Sequence, residues 1–321
     1  MKSKIIPIAG DASFRKFYRI NINGKSKILV NAQREKYKNL IAYVAVNKFL
    51  IKNKILAPKL FECNYTKGTI IIEDFGDLSF HQLLLKQKKK LPTYKKLVDL
   101  LIKIQRIKPK PKIKSIIRKP HLIKKYSKKY LHQETDLFFK WYLPLIISKK
   151  KHKLIKKNVR KILSQLYKKL NFPNSYFVHR DYHVKNLMKV GKKIGIIDSQ
   201  DALIGNPAYD LVSLIDDVRI KTSKSLKNKI YNYYVKNNSL ISKNNSNLFL
   251  QDFNILSVQR NLKIIGIFSR LFKRDNKKIY LKLIPYTWRL LETRMHSETF
   301  SDLKKIFEIN INKNIRKKIL N

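Results

Sequence analysis

A chain of 321 residues with 44% hydrophobic and 11% aromatic residues can bury one large core or two smaller ones and is too apolar to be disordered. Its apolar runs are far shorter than a membrane span, its N-terminus lacks the long apolar segment of a signal peptide, and its single cysteine, Cys63, excludes an internal disulfide. We therefore expect a cytoplasmic protein with no membrane partner.

The formal charge of +51 comes from 72 basic and 21 acidic residues and admits two interpretations. Clustered basic side chains neutralise phosphates, so the charge could indicate a nucleic acid or an anionic membrane as partner. Here the basic residues lie along every segment and lysine far outnumbers arginine, which favours compositional drift. We therefore expect no nucleic acid partner, although such a field attracts anionic substrates and repels polycations.

The first 76 residues predict a small β-rich lobe. Short apolar runs are separated by turn residues such as Asn23-Gly24, which is typical of hairpins, and one longer stretch has helical spacing. The predicted strands cover residues 5–8, 17–21, 27–32, 60–63 and 69–73, and the predicted helix covers residues 40–50.

Two segments of this lobe could bind a nucleotide. A turn of small residues follows the first strand, and its backbone N–H groups could approach the phosphates. The residues assigned to it are Asp11, Ala12, Ser13, Phe14 and Arg15. The last strand runs into a hinge at residues 73–77, where Glu73 and Phe75 are the candidate contacts of an adenine.

From residue 78 to residue 321 the apolar spacing is mostly helical. The predicted helices cover residues 97–104, 126–147, 159–170, 208–218, 224–237, 248–272 and 277–296. The chain therefore predicts an α+β protein with a β-rich lobe at residues 1–76 and a larger, mostly helical lobe at residues 78–321.

Two short buried strands, residues 176–178 and 194–197, end in polar residues that rigid strands can position for chemistry. His-Arg-Asp follows the first strand, Asn186 lies five residues after Asp181, and Asp198 lies twelve residues further on. This order is used for phosphoryl transfer. It predicts that Asp181 accepts the proton of the attacking hydroxyl, while Asn186 and Asp198 hold Mg²⁺ on the phosphates of ATP.

The neighbours of these residues are expected to support them. His179 would fix the catalytic loop, and Asp210, near a helix start, would accept backbone hydrogen bonds from that loop. We expect no metal ligation by His179 and His183, because they lie in a loop rather than on one face of a helix. Only eight residues separate Asp198 from Pro207, too few for the activation segment with which protein kinases recognise peptides, so we expect no protein substrate.

Several stretches together resemble a known family. HRDYHVKN and IDSQDALIGNPAYDLVSL are similar to the aminoglycoside-phosphotransferase/choline-kinase-like family, whose pattern is His-Gly-Asp, Asn, Asp and a later Tyr-Asp. GDASFRKFYR, IIIEDFGD, WYL and QRNLKIIGIFSRL more narrowly resemble the N-acetylmuramate/N-acetylglucosamine 1-kinases of peptidoglycan recycling. The resemblance spans residues 8–294.

The resemblance implies a protein-kinase-like, two-lobed fold, ATP and Mg²⁺ as cofactors, and a sugar as the phosphoryl acceptor. Gln200 and Asp201 could bind the sugar hydroxyls or be purely structural, and His183 is a further candidate for substrate binding. A lactyl carboxylate on the sugar could pair with Arg260 or Lys263. We assign Arg260, for which a surface ion pair is the alternative.

Two positions depart from the family. Kinases place a lysine on the third strand and the narrower family has an aspartate there, whereas this chain has Asn31. Arg15 or Lys27 could reach the phosphates instead. Ser199 stands where the family usually has a phenylalanine after the metal-binding aspartate, which leaves the packing around it open.

The interpretation that we favour is a small-molecule kinase acting on N-acetylmuramate or N-acetylglucosamine. Aminoglycosides and choline are cationic, so the charge of the protein disfavours them; a homoserine-type kinase would keep the chemistry and change the acceptor. An alternative of another class is a basic nucleic-acid-binding protein on an idle kinase scaffold. The intact set of Asp181, Asn186 and Asp198 argues against an idle site.

Overall fold

The computed structural model describes residues 5–8, 15–32, 38–64, 66–115 and 119–317, with the side chains of residues 38 and 39 excepted. The chain packs into two compact units. The first comprises Met1–Lys125 and Tyr176–Ile204, and the second comprises Tyr126–Ser175 and Gly205–Asn321. The lobe boundary near residue 77 stays a prediction.

A five-stranded antiparallel sheet lies in the first unit, with the strand order β1-β2-β3-β5-β4. Asn23 and Gly24 both adopt positive φ, which matches the twist of the tight hairpin that they close. The five strands of this sheet confirm the strands predicted for the β-rich lobe. The strands are β1 (Ile6–Ile8), β2 (Lys16–Ile22), β3 (Lys25–Asn31), β4 (Leu60–Asn64) and β5 (Thr69–Glu73).

One face of this sheet packs on helix α1 (Lys38–Lys52). Alternate residues of β3 and β5 are buried, as expected for strands with one covered face. They form a single core cluster with side chains of α1, which places this helix next to the sheet. The cluster comprises Ile28, Val30, Ala32, Leu40, Tyr43, Val44, Ile70 and Ile72.

The remainder of the first unit contains the short strands that flank Asp181, Asn186 and Asp198. Helix α2 (Phe80–Lys86) starts with a capping box between Ser79 and Gln82, and helix α3 (Leu91–Gln105) follows. The described part of this unit also contains three short strand pairs, one of which ends in Gly205 of the second unit. They are β6 (Lys112–Ile113) with β7 (His121–Leu122), β8 (Tyr176–Val178) with β11 (Leu203–Gly205), and β9 (Leu187–Val190) with β10 (Lys193–Ile196).

The described part of the second unit is almost entirely helical, which confirms the predicted α+β class. The 30-residue helix α9 packs against α4, the π-helical turn that follows α4, α7 and α10. The helices are α4 (Lys128–Leu137), α5 (Leu143–Ile146), α6 (Lys149–Lys168), α7 (Ala208–Ile215), α8 (Lys224–Asn237), α9 (Ser246–Asp275), α10 (Ile284–Arg294), α11 (Ser301–Asn310) and α12 (Lys313–Lys317).

Two features of this unit differ from the predicted elements. A π-helical turn at Phe138–Tyr142 interrupts the helix predicted for residues 126–147. Pro144 follows it and has no N–H to donate to the preceding turn, which accounts for the irregular hydrogen bonding. The predicted helices also end near residue 296, whereas α11 and α12 continue beyond it and bury Leu303 and Phe307 four residues apart.

Two buried carboxylates connect the helices of the second unit. Glu134 pairs with the Lys263 ammonium at 2.8 Å and accepts a hydrogen bond from the Gln259 amide at 2.9 Å. Asp216 pairs with Lys227 at 3.0 Å and with Arg294 at 2.9 Å. Burial acts to raise the pKa of Asp216, but these two cations hold it well below its usual range.

No helix in the described ranges is long and apolar enough to cross a membrane.

Candidate active site

The loop after β8 brings Asp181, His183 and Asn186 together. The His183 N–H donates to the carbonyl of Asp181 at 2.9 Å, and the Asn186 N–H donates to the carbonyl of His183 at 2.9 Å. The side-chain amide of Asn186 donates to the carbonyl of Asp181 at 3.1 Å. The loop is therefore held by its own hydrogen bonds, with the predicted base and the first predicted metal ligand at its two ends.

Arg180 lies in the left-handed region with a φ of 72°. The resembled family has glycine at this position, and glycine adopts that conformation without a steric cost. The Arg180 guanidinium Nη1 lies 3.3 Å from the carbonyl oxygen of Asp201, so the side chain forms a contact that glycine could not. Backbone strain is thus present in the residue before the predicted base.

We expect Arg180→Gly to be more stable than Arg180→Ala by about 1 kcal/mol, because both lose the side chain but only alanine keeps the strained φ. Thermal and urea unfolding of the two variants would measure this difference. Equal stability, or a more stable alanine variant, would mean that the left-handed conformation costs nothing here.

His179 connects this loop to the segment that carries Asp198. It is buried, and its Nε2 donates to the carbonyl of Ile197 at 3.1 Å. Burial lowers the pKa of His179, although the charges of Asp181 and Asp198 act to raise it, so the imidazole is neutral near pH 7. These contacts are consistent with the supporting role that we predict for His179.

The β9–β10 hairpin places Asp198 beside Asn186. Asn186 precedes β9 and Asp198 follows β10, so the antiparallel pairing brings them to the same end. The N–H of Ile197 donates to the carbonyl of Asn186 at 3.0 Å. Asp198 itself has a φ of 65°, which is a second left-handed backbone position within the candidate site.

Arg15 and Gln200 hold one oxygen of the Asp198 carboxylate. The Arg15 guanidinium Nη2 lies 2.8 Å from Asp198 Oδ1, and the Gln200 amide Nε2 donates to the same oxygen at 3.0 Å. Arg15 Nη1 donates to Gln200 Oε1 at 3.1 Å, which closes a three-residue cluster. The Arg15 side chain is 6% exposed and that of Asp198 is 37% exposed, so the ion pair is partly buried.

The oxygens that remain in this site fit Mg²⁺. In the described part of the chain, Asp198 Oδ2 and Asn186 Oδ1 accept no hydrogen bond, because the contacts of these side chains use Oδ1 and Nδ2. One carboxylate and one amide oxygen are hard ligands of the kind that Mg²⁺ takes alongside phosphates and water. The described residues contain no cluster of three or more His, Cys, Asp or Glu side chains suited to a metal.

Ser199 is buried and has a polar partner, which resolves the packing that its departure from the family left open. Its hydroxyl donates to Asn47 Oδ1 at 2.6 Å, and the Asn47 amide donates to the carbonyl of Pro58 at 3.3 Å. Tyr43 lies one turn before Asn47 on α1, and burial raises its pKa to about 12. Asn47 was not among the residues predicted from the sequence, although an asparagine within the apolar run of α1 is a signal for a buried hydrogen bond.

The residues assigned to the nucleotide are only partly described. Asp11, Ala12, Ser13 and Phe14 lie outside the described residues. The Glu73 carboxylate accepts the N–H of Lys59 at 3.2 Å, and Phe75 is buried. The Phe75 ring packs so closely on Gly195 that an added Cβ there would lie 2.5 Å from it. The adenine contacts of Glu73 and Phe75 stay predictions.

The residues assigned to the substrate fall into both units. Gln200 belongs to the Asp198 cluster, and half of the Asp201 side chain is exposed. Arg260 lies on α9 in the second unit, is 3% exposed and makes no hydrogen bond or ion pair with any described residue. Asp210, which we predict to support the catalytic loop rather than to bind the substrate, lies buried in the first turn of α7, and its role stays a prediction. None of these placements tests a substrate contact.

The chain matches the phosphotransferase enzyme family over residues 4–235. It is similar to the N-acetylmuramate/N-acetylglucosamine kinase of Neisseria meningitidis, with 27% identity over 94% of this chain and 88% of the relative. The kinase of the same name from Pseudomonas aeruginosa is 26% identical, over 91% of this chain and 83% of the relative.

Solved structures with the same fold include an ADP-bound aminoglycoside phosphotransferase and a choline kinase from Streptococcus pneumoniae. The first is 13% identical with a TM-score of 0.61, over 90% of this chain and 92% of that chain. The second is 13% identical with a TM-score of 0.60, over 90% of this chain and 93% of that chain. At this identity the likeness concerns the fold, and it confirms the predicted protein-kinase-like class.

The protein belongs to the phosphotransferase enzyme family, since the match covers more than half of the chain. It is an ATP-dependent kinase that acts on a small molecule, and its relatives are named as sugar kinases.

Proposed function

We propose that this protein uses ATP and Mg²⁺ to phosphorylate the anomeric hydroxyl of N-acetylmuramate or N-acetylglucosamine. The observation that carries the proposal is the set of four relatives named for these two sugars, which match between 83% and 94% of this chain. Such matches include the loop of Asp181 and the helix of Arg260, rather than the phosphoryl-transfer motif alone.

In this proposal the three residues of the central motif divide the chemistry. Asp181 accepts the proton of the sugar hydroxyl as its oxygen attacks the γ-phosphorus of ATP, while the bond from that phosphorus to the β-phosphate oxygen breaks and ADP leaves. Asn186 and Asp198 would hold Mg²⁺, which would offset charge on the phosphate oxygens. Positioning of the hydroxyl and of ATP contributes most of the rate, since bond formation lags bond cleavage in a loose transition state.

The charges of the protein support an anionic or neutral acceptor. A chain with a formal charge of +51 disfavours polycationic aminoglycosides and choline, whereas N-acetylmuramate carries a carboxylate. Of the two candidate cations for this carboxylate, Lys263 is neutralised by Glu134. Arg260 has no carboxylate partner among the described residues, and we therefore keep it as the proposed contact.

The proposed acceptors arise from the cell wall, so the proposal includes a role in peptidoglycan recycling. We place that role in the cytoplasm, where ATP is available and where a lone cysteine such as Cys63 stays reduced. The scattered lysines need no nucleic acid partner in this role.

An ATP-consumption assay with a panel of acceptors would test the proposal. We expect turnover with N-acetylmuramate and N-acetylglucosamine, and background rates with kanamycin, choline and homoserine. The product should be a sugar 1-phosphate, recognised by the loss of the reducing end and by a phosphorus–proton coupling at the anomeric carbon. Turnover on kanamycin or choline but not on the acetylated sugars would contradict the proposal, and RNA binding without ATP turnover would support an idle scaffold.

A further inference from the structure

The contact between Arg15 and Asp198 joins a buried cation to a proposed ligand of Mg²⁺. The 2.8 Å ion pair lies on Oδ1, while Oδ2 accepts no hydrogen bond from a described residue. A guanidinium at this distance neutralises the carboxylate and repels a second cation that approaches the same group. The pair therefore stabilises Asp198 without a metal and opposes the binding of Mg²⁺ alone.

The third strand lacks the lysine that binds phosphates in other kinases, and Arg15 is the better placed of the two candidate substitutes. The Lys27 ammonium lies 4.5 Å from the centre of the Phe61 ring, on the sheet. Arg15 contacts the proposed metal ligand directly and lies immediately before β2. Its planar guanidinium can donate two parallel N–H hydrogen bonds, an arrangement that matches the oxygens of a phosphate.

We propose that Arg15 is an exchangeable counter-ion of the active site, and this rests on the proposed use of Mg²⁺ and ATP. Without nucleotide it pairs with Asp198. When Mg²⁺ and ATP bind together, Mg²⁺ replaces it at the carboxylate and the guanidinium passes to a phosphate oxygen. The hydrogen bond from Gln200 to Asp198 keeps the carboxylate in place during the exchange.

The exchange makes the binding of metal and nucleotide mutually dependent. Metal alone must break the ion pair between Arg15 and Asp198, whereas metal with ATP also supplies a phosphate oxygen that replaces the carboxylate as acceptor for the guanidinium. Each ligand therefore raises the affinity for the other by the same factor, as linkage requires. Removal of the Arg15 charge should change the two affinities in opposite directions, which a purely structural arginine would not do.

The experiment compares the wild-type protein with Arg15→Gln, which keeps hydrogen-bonding groups and removes the charge. Binding of Mn²⁺ without nucleotide, followed by electron paramagnetic resonance, should become about three- to tenfold tighter in the variant. Binding of a non-hydrolysable ATP analogue at saturating Mg²⁺, followed by calorimetry, should become at least about tenfold weaker. Arg15→Lys should retain part of the coupling, because it keeps the charge and loses the planar fork.

Lys25→Gln is the matched control, since it removes one exposed positive charge from β3 and should change both affinities by less than about twofold. Weaker Mn²⁺ binding by Arg15→Gln would overturn the proposal and make Arg15 a residue that positions Asp198. Unchanged affinity of Arg15→Gln for the ATP analogue would also overturn the proposal. A loss of this affinity in Lys27→Gln but not in Arg15→Gln would overturn it as well. If Arg15→Gln does not fold, unchanged affinities in Arg15→Lys would overturn it instead.

These measurements need no acceptor. Failure of the proposed sugar kinase activity would appear as absent turnover with the acetylated sugars in the wild-type protein. The metal and nucleotide titrations would still decide the role of Arg15.

Discussion

Asp181→Asn should lower kcat by about two to four orders of magnitude, which is the usual contribution of a positioned general base. Asparagine keeps the size of the side chain but cannot accept the proton of the attacking hydroxyl. The hydrogen bonds that shape the loop use the Asp181 carbonyl, which the substitution leaves unchanged. We therefore expect the KM for ATP and the thermal stability to stay close to those of the wild-type protein.

Steady-state kinetics on the preferred acetylated sugar would measure this loss, with the binding of an ATP analogue as a check on the nucleotide site. Asp99→Asn is a suitable control, because it removes an exposed carboxylate from α3 of the same unit and should leave kcat unchanged. A kcat within about tenfold of the wild-type value in Asp181→Asn would mean that another residue is the base.

Gly266→Ala should destabilise the second unit by about 3 kcal/mol or more. A Cβ at Gly266 of α9 would lie 2.3 Å from the backbone carbon of Leu137 and 2.4 Å from the backbone nitrogen of Phe138. Backbone atoms cannot move aside as a flexible side chain can, so the two helices would have to separate. This outcome reverses the intrinsic preference of a helix for alanine over glycine, which is about 1 kcal/mol.

Thermal unfolding followed by circular dichroism would measure the effect, and poor recovery of folded protein would be its extreme form. Asn247→Ala is the control within α9, since Asn247 is exposed and its replacement should shift the melting temperature little. A Gly266→Ala protein as stable as the wild type would show that α9 can move away from Leu137 and Phe138 at little cost.

Local features of the sequence predicted much of the fold. The alternation around Ile28 and Val30 and the helical spacing on α3 arise from residues close in the chain, so periodicity was sufficient to find these elements. Periodicity was insufficient at the π-helical turn, where Pro144 changes the hydrogen bonding of a stretch with a regular apolar pattern.

The order of His179, Asp181, Asn186 and Asp198 likewise predicted the central motif, because these residues lie on one hairpin and the loop before it. The resemblance added the family, which the match over residues 4–235 confirmed. Asp11 to Phe14 stay a prediction, as do the substrate contacts of Gln200, Asp201 and Arg260.

The sequence by itself therefore determined the class of chemistry, since phosphoryl transfer needs a base, an amide and a carboxylate at set spacings that a chain displays directly. Only the tertiary structure decided what surrounds them. Arg15 contacts Asp198, which lies 183 positions further along the sequence, and Asn47 contacts Ser199, which lies 152 positions further along. Such contacts depend on how the sheet, α1 and the β9–β10 hairpin pack, and periodicity carries no information about partners so far apart in the chain.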